Sequence, residues 1–150
     1  MYLLLSLLFF NICHIGAPEP KDRSTAVWTP LKHFKNKSKA YFASGCFWCV
    51  ESVYESLEGV EEAFSGYAGG KTQNPTYYQV IAGKTGHAET VEVIYDPKVI
   101  DFGTLVKVFF DSHDPTLHNQ QGPDRGTQYR SVAFFQNESE KKIIEDYISK

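Results

Sequence analysis

Lys39-Ala40-Tyr41-Phe42-Ala43-Ser44-Gly45-Cys46-Phe47-Trp48-Cys49-Val50-Glu51 decides how this chain folds. Lys39 to Ser44 reads as a strand. Beyond Gly45 the apolar residues Phe47, Val50, Tyr54 and Leu57 recur on one helical face, and Gly59 is placed to end the helix. Cys46 therefore stands where a strand turns into the first turn of a helix. Unpaired backbone N–H groups and the positive end of the helix dipole favour an anion there. A thiolate is such an anion, and helix N-termini can lower a cysteine pKa from about 8.5 into the range of roughly 3.5–7.5. Cys46 is the first candidate nucleophile, with a thiol pKa expected below the usual value.

Working outward, Val60 to Tyr67 reads as a second strand and Gly69 to Tyr78 as a long loop. The glycines Gly66, Gly69 and Gly70 do not have a phosphate-binding spacing. The clearest strand opens at Gly86-His87-Ala88. Glu89, Val91, Val93 and Tyr95 point one way, and Thr90, Glu92 and Ile94 the other. Glu89 begins an otherwise apolar face, where desolvation raises a carboxyl pKa and suits the group to donate a proton near neutral pH. The alternative puts Glu89 at the sheet edge, reaching water. Asp96-Pro97 breaks the strand. Asp101 caps a helix that turns Phe102, Leu105, Val106 and Phe109 inward. A polar, turn-rich loop from Asp111 to Gln128 follows, then a strand from Arg130 to Gln136. A last helix opens at Ser139, with Ile143, Ile144, Tyr147 and Ile148 apolar. The order begins β-α-β-β-α-β. That is the split βαβ pattern of a ferredoxin-like two-layer α/β sandwich, an α+β fold with helices covering one face of an antiparallel or mixed sheet.

The length, 150 residues, supports one folded domain, read here as 39–150. A net charge of −3 gives no reason to expect a nucleic-acid partner. Three cysteines cannot build a disulfide framework and suit catalysis or metal binding better. Residues 1–17 read as a signal or membrane-tethering segment: Tyr2 to Ile12 is almost wholly apolar yet too short to span a bilayer, and Ile15-Gly16-Ala17 offers small residues for cleavage. This places the protein as secreted, periplasmic or membrane-tethered; a mistaken start site would leave it cytoplasmic. Cys13 lies in that segment and is expected to take no part in chemistry. Residues 18–38 read as a basic linker, since Pro18 to Lys39 hold six of the 15 lysines and arginines, with Pro20 and Pro30 among them.

Cys46 and Cys49 form a C-x-x-C, and three readings compete. A thioredoxin-like redox pair sits poorly with the β-α-β-β-α-β order. A zinc-stabilised or inactive binding module would use Cys46, Cys49, His113 and His118, although Phe47-Trp48 is a bulky insert for a zinc knuckle. The third reading is a reactive Cys46 whose aromatic neighbours Phe47 and Trp48 wall a pocket for an apolar group, against plain core packing of the same two rings.

Gly45-Cys46-Phe47-Trp48, with Glu51 three residues on, resembles the active-site signature of the A-class peptide methionine sulfoxide reductases. The resemblance continues in order through Gly66-Tyr67-Ala68-Gly69-Gly70, Asn74-Pro75-Thr76-Tyr77, Gly86-His87-Ala88-Glu89, His113-Asp114-Pro115, and Asp124 with Gly126-Thr127-Gln128-Tyr129-Arg130-Ser131. Each motif is short; six in sequence are specific. The resemblance implies thiol-dependent reduction of methionine S-sulfoxide, in oxidised proteins or as the free amino acid. Cys46 would attack sulfur, and Glu89 would protonate the oxygen. Tyr77, Tyr129 and Asp124 would form the polar pocket, and Phe47 and Trp48 would hold the methyl group. It implies no metal or organic cofactor, an external dithiol reductant such as thioredoxin, and a monomer. This sequence departs from the family in two ways. Cys49 stands where glycine is frequent, which makes it a candidate resolving thiol one helical turn from Cys46. Family members also continue past the last helix, so the resemblance implies a C-terminally truncated domain.

Overall fold

A computed structural model describes residues 34–149. The segment read as targeting (1–17) and most of the stretch read as a basic linker (18–38) lie outside the described residues. The folded domain takes in the end of that linker: strand β1 begins at Ser38, and Lys37 Nζ already reaches Glu61 (2.6 Å) and Asp96 (2.9 Å).

The elements run β1 (Ser38–Ser44), α1 (Phe47–Glu55), β2 (Val60–Ala68), α2 (Tyr77–Ile81), β3 (Ala88–Tyr95), α3 (Phe102–Asp111), β4 (Gln120–Gln121), β5 (Asp124–Arg125), a 3-10 turn (Thr127–Tyr129), β6 (Ser131–Phe134) and α4 (Glu138–Ile148). β2, β3, β1 and β6 form one four-stranded sheet in that order, with every neighbouring pair antiparallel. This is the expected α+β sandwich, with β6 as its fourth strand. The α3–β6 connection carries the small β4–β5 hairpin.

Alternation in the strands makes the core. Phe42 of β1 and Val91 and Val93 of β3 are wholly buried on the helix-facing side. Phe42 stacks on Tyr54 of α1 (ring centroids 5.1 Å apart) and Phe109 of α3 (5.4 Å). Burying one such ring contributes about 2 kcal/mol. The Tyr54 hydroxyl satisfies itself inside this layer by donating to the Leu105 carbonyl at 3.2 Å. Asp101 caps α3 as expected, its carboxylate accepting from Thr104 N–H at 2.7 Å.

Several boundaries differ from the sequence reading, among them the start of β1 at Ser38 rather than Lys39 and the end of β2 at Ala68 rather than Tyr67. The loop expected to run through Tyr78 gives way to α2 at Tyr77, because Thr76 and Gln79 form a reciprocal capping box. The last strand is shorter than Arg130 to Gln136, ending at Phe134. The last helix starts at Glu138 rather than Ser139, because Asn137, whose side chain accepts from Glu140 N–H at 2.9 Å, is its cap.

Candidate active site

The sheet register assembles the site. Tyr67 of β2 lies opposite Glu89 of β3. Continuing the pairing of Phe42 with Val91 sets Ser44, the last residue of β1, beside Glu89. Ser44 in turn pairs with Ser131, the first residue of β6. One row across four strands therefore reads Tyr67, Glu89, Ser44, Ser131. Cys46 lies two residues beyond that row, and Tyr129 two residues before it.

The turn from β1 into α1 depends on Gly45. Its φ is +97°, and a Cβ there would lie 2.7 Å from the Gln121 Cβ. That contact seats the β4–β5 hairpin against the start of α1. Cys46 is the N-cap of α1 and is half-buried; Cys49, one turn later, is exposed. The backbone N–H groups of Cys49 and Trp48 at the start of α1 pull the Cys46 pKa down, as the helix-start reading expected, although the Cys49 N–H itself donates to the Cys46 carbonyl at 3.1 Å. Burial outweighs them, however, and pushes the Cys46 thiol above its usual value; contact with the Cys49 thiol adds to the rise. The expected net depression is thus corrected. Desolvation opposes the charged form.

Glu89 is only 2% exposed, so the buried-face reading holds and the sheet-edge alternative does not. Its Oε2 accepts from Phe47 N–H at 3.1 Å, which ties the carboxyl to the first turn of α1. Its Oε1 is buried with no hydrogen-bond partner among the described residues. Burial raises the Glu89 pKa, the Phe47 N–H opposes that rise, and the Asp124 carboxylate reinforces it. Tyr77 and Tyr129 complete the polar side. Burial pushes both phenols up, and each is raised further by the charges of Glu89, Asp124 and Cys46. Cys46, Glu89 and Asp124 thus all lie close enough to act on both Tyr77 and Tyr129, five predicted site residues brought together from five separate elements.

The aromatic side is continuous. Phe47 packs 5.2 Å from Trp48, 5.7 Å from Tyr67 and 6.4 Å from Tyr77; Trp48 stacks on Tyr77 at 5.9 Å. Phe47 is a core residue as well as a wall, whereas Trp48 is 59% exposed and forms the rim. On the other side of Cys46, a cavity of about 290 Å³ opens between α1 and the hairpin, lined by Cys46, Cys49, Val53, His113, Gln121 and Asp124 among others. The larger groove of about 760 Å³ between α3, β6 and α4 holds no sulfur and no unpaired carboxyl.

The zinc reading gains no geometry. Both ring nitrogens of His113 are engaged, Nδ1 with the Phe109 carbonyl (2.6 Å) and Nε2 with Ser131 Oγ (2.9 Å). His118 Nε2 contacts the Asn119 side chain at 2.8 Å. Among the described residues no three His, Cys, Asp or Glu side chains are grouped to hold a metal ion. Three contributors were given no role of their own from the sequence. Tyr67 stands against Phe47 and Glu89. Glu51 accepts from both the Ser65 N–H (2.7 Å) and the Ser65 hydroxyl, pinning α1 to β2. Gln121 packs on Gly45. The alternation of β2 could have found Tyr67; the other two contacts carry no local signal.

Comparison with known proteins agrees with this geometry. The family model described as peptide methionine sulfoxide reductase matches residues 38–150. The chain is 51% identical over 109 residues to the peptide methionine sulfoxide reductase MsrA of Natronomonas pharaonis, covering 73% of this chain and 61% of that one. Against the MsrA of Sulfolobus acidocaldarius it is 48% identical over 109 residues, covering 73% and 62%. It thus spans about three fifths of the length of these relatives. Methionine sulfoxide reductase A of Corynebacterium diphtheriae superposes with a TM-score of 0.71 at 38% identity, covering 75% of this chain and 57% of that one. Mxr1 of Saccharomyces cerevisiae in its reduced form gives 0.69 at 38% identity, covering 76% and 70%. With a strand-to-helix cysteine, a buried carboxyl and an aromatic wall in one register, and a family match over three quarters of its length, this chain belongs to the peptide methionine sulfoxide reductase family.

Proposed function

We propose that this protein reduces methionine S-sulfoxide to methionine, in oxidised proteins and as the free amino acid, through Cys46. The observation that carries the reading is the unpartnered Oε1 of buried Glu89, set beside the half-buried thiol of Cys46 and the phenols of Tyr77 and Tyr129. The substrate methyl group packs against Phe47 and Trp48, and its oxygen meets Glu89 and the two phenols. Asp124 supports that polar pocket by raising the carboxyl pKa of Glu89.

The Cys46 thiolate, stabilised by the N–H groups of Trp48 and Cys49, attacks the sulfoxide sulfur while Glu89 gives its proton to the oxygen. The S–O bond breaks and the oxygen passes to the Cys46 sulfur as the transient S–S bond opens, so the substrate sulfur, reduced by two electrons, leaves as methionine and Cys46, oxidised by two electrons, becomes a sulfenic acid. Cys49 then displaces that oxygen as water and forms a Cys46–Cys49 disulfide. An external dithiol, of which thioredoxin is the natural type, returns both cysteines to thiols by two exchange steps. The contact between the two thiols, and the cavity that opens on Cys49, support its resolving role.

A single-turnover assay without added reductant tests this. Fully reduced protein should yield about one methionine per chain and lose two thiols. Cys49→Ser should still yield one methionine but form no disulfide, and Cys46→Ser should yield none. Full dithiol-driven recycling in Cys49→Ser would remove the resolving role. No methionine from folded wild-type protein would refute the activity.

A further inference from the structure

Tyr78 has no role in the core. It is 76% exposed, on a short helix whose capping residue and buried Val80 already fix its position. Its ring meets Tyr77 edge-on at 5.8 Å, and Tyr77 stacks on Trp48. The aromatic wall of the site thus continues outward without a break, past Trp48 and Tyr77, to Tyr78. Beyond Tyr78 lies a groove of about 390 Å³ lined by Thr72, Tyr78, Gln79, Ala82, Lys84 and Thr85. Among the described residues no acidic side chain lines it. Lys84 is exposed and makes no ion pair with any described residue; the same holds for Lys71, whose backbone N–H is bonded to the Thr85 carbonyl.

We propose that this groove is a docking site for the polypeptide flanking an oxidised methionine, and that it selects acidic flanking residues. The inference rests on the activity proposed above. A side chain whose sulfur reaches Cys46 leaves its own backbone outside the rim formed by Trp48 and Tyr77, so its neighbours must lie along the adjacent surface. The groove continues that rim. It offers an aromatic face for an apolar group or the peptide plane and an unpaired ammonium for a carboxylate. Free methionine sulfoxide fills only the inner pocket, so the groove separates protein-bound from free substrate.

The test compares capped pentapeptides, with central methionine S-sulfoxide and flanking Glu or Lys, against N-acetyl-methionine S-sulfoxide, all with dithiothreitol as reductant. At low ionic strength kcat/KM for the Glu-flanked peptide should exceed that for the Lys-flanked one by about tenfold, and the two should converge at high salt. Lys84→Glu should reverse the order. Tyr78→Ala should lower the ratio of peptide to N-acetyl-methionine sulfoxide turnover by about fivefold. Equal turnover of both peptides, or ratios unmoved by both substitutions, would overturn the docking site. Calorimetric binding of the same peptides to the Cys46→Ser protein reads the groove independently of chemistry. There a Glu-flanked peptide binding about fivefold tighter supports the site, and equal affinities overturn it. Absence of turnover even with N-acetyl-methionine sulfoxide refutes the activity instead, and leaves the binding comparison to decide the groove.

Discussion

Glu89→Gln should separate function from stability at this site. Glutamine keeps the shape of glutamate and keeps an oxygen to accept the Phe47 N–H, now held at 3.1 Å. It loses the proton that the sulfoxide oxygen needs. Removing a general acid costs about 10²–10⁴-fold in rate, so the first-turnover rate should fall by at least about 10²-fold. Stability should move the other way. The folded pKa of Glu89 is raised, chiefly by burial. A raised group contributes its full stability below the usual carboxylate value, and that contribution is lost as pH rises through the folded value. As pH rises through that folded value, the wild-type fold comes to carry an ionised carboxylate with one buried oxygen that has no partner among the described residues. Leaving a buried polar group unsatisfied costs about 1–3 kcal/mol. Taking the lower figure for the neutral amide's relief gives about 1 kcal/mol, or a melting temperature higher by about 4 °C for a domain of this size. Toward low pH the wild-type carboxyl becomes neutral as well, and the difference should shrink. The measurement is a pair of calorimetric melts at pH 5 and pH 8, with methionine released in one turnover on the same preparations. A variant less stable than wild type at pH 8, or one whose first turnover stays within fivefold of it, would refute the reasoning.

Two further outcomes probe how the site is held. Gly45→Ala puts a Cβ at a φ of +97° and 2.7 Å from the Gln121 Cβ, so it should destabilise by about 2 kcal/mol or more, read as a lower urea midpoint with unchanged m-value. Asp101→Ala removes the α3 cap and should cost about 1 kcal/mol near neutral pH. Hydrogen bonds from Thr104 hold the Asp101 carboxyl below its usual range. The difference between variant and wild type should therefore persist above that range and vanish as pH falls through the depressed value, seen by urea titration at stepped pH.

The sequence made some of this site legible and hid the rest for physical reasons. Glu89 stands out because β3 alternates with period two, so one carboxylate at an apolar position is conspicuous. Cys46 stands out because strand pattern changes to helix pattern beside it. The direction of its pKa does not, since that depends on how deeply tertiary packing buries the thiol. α2 is too short for a helical period to show, although Thr76 and Gln79 already had capping-box spacing. Tyr77, Asp124 and Tyr129 sit on short or irregular segments, where periodicity says nothing about direction; only the family resemblance pointed to them. His113 looked like a metal ligand because histidine spacing is visible in sequence, while its actual partners, the Phe109 carbonyl and Ser131, are set by tertiary packing.

Why a split βαβ sheet suits this chemistry follows from its register. Because β1 and β3 are neighbours and antiparallel, the exit of one lies beside the entrance of the other. A nucleophile placed just after β1 is thereby brought to an acid placed at the start of β3, though 43 positions separate Cys46 from Glu89 in the chain. The pairing of β2 with β3 brings Tyr67 to the same row, and that of β1 with β6 brings Tyr129 close to it. A slip of one residue in β3 would carry Glu89 to the opposite face and bring Thr90 to the helix side. Val91, Val93 and Tyr95 hold that register because the slip would turn all three out of the core. The same apolar alternation that folds the sheet thus fixes the acid within reach of the thiol, so a substitution that loosens β3 packing should impair the first turnover before it unfolds the domain.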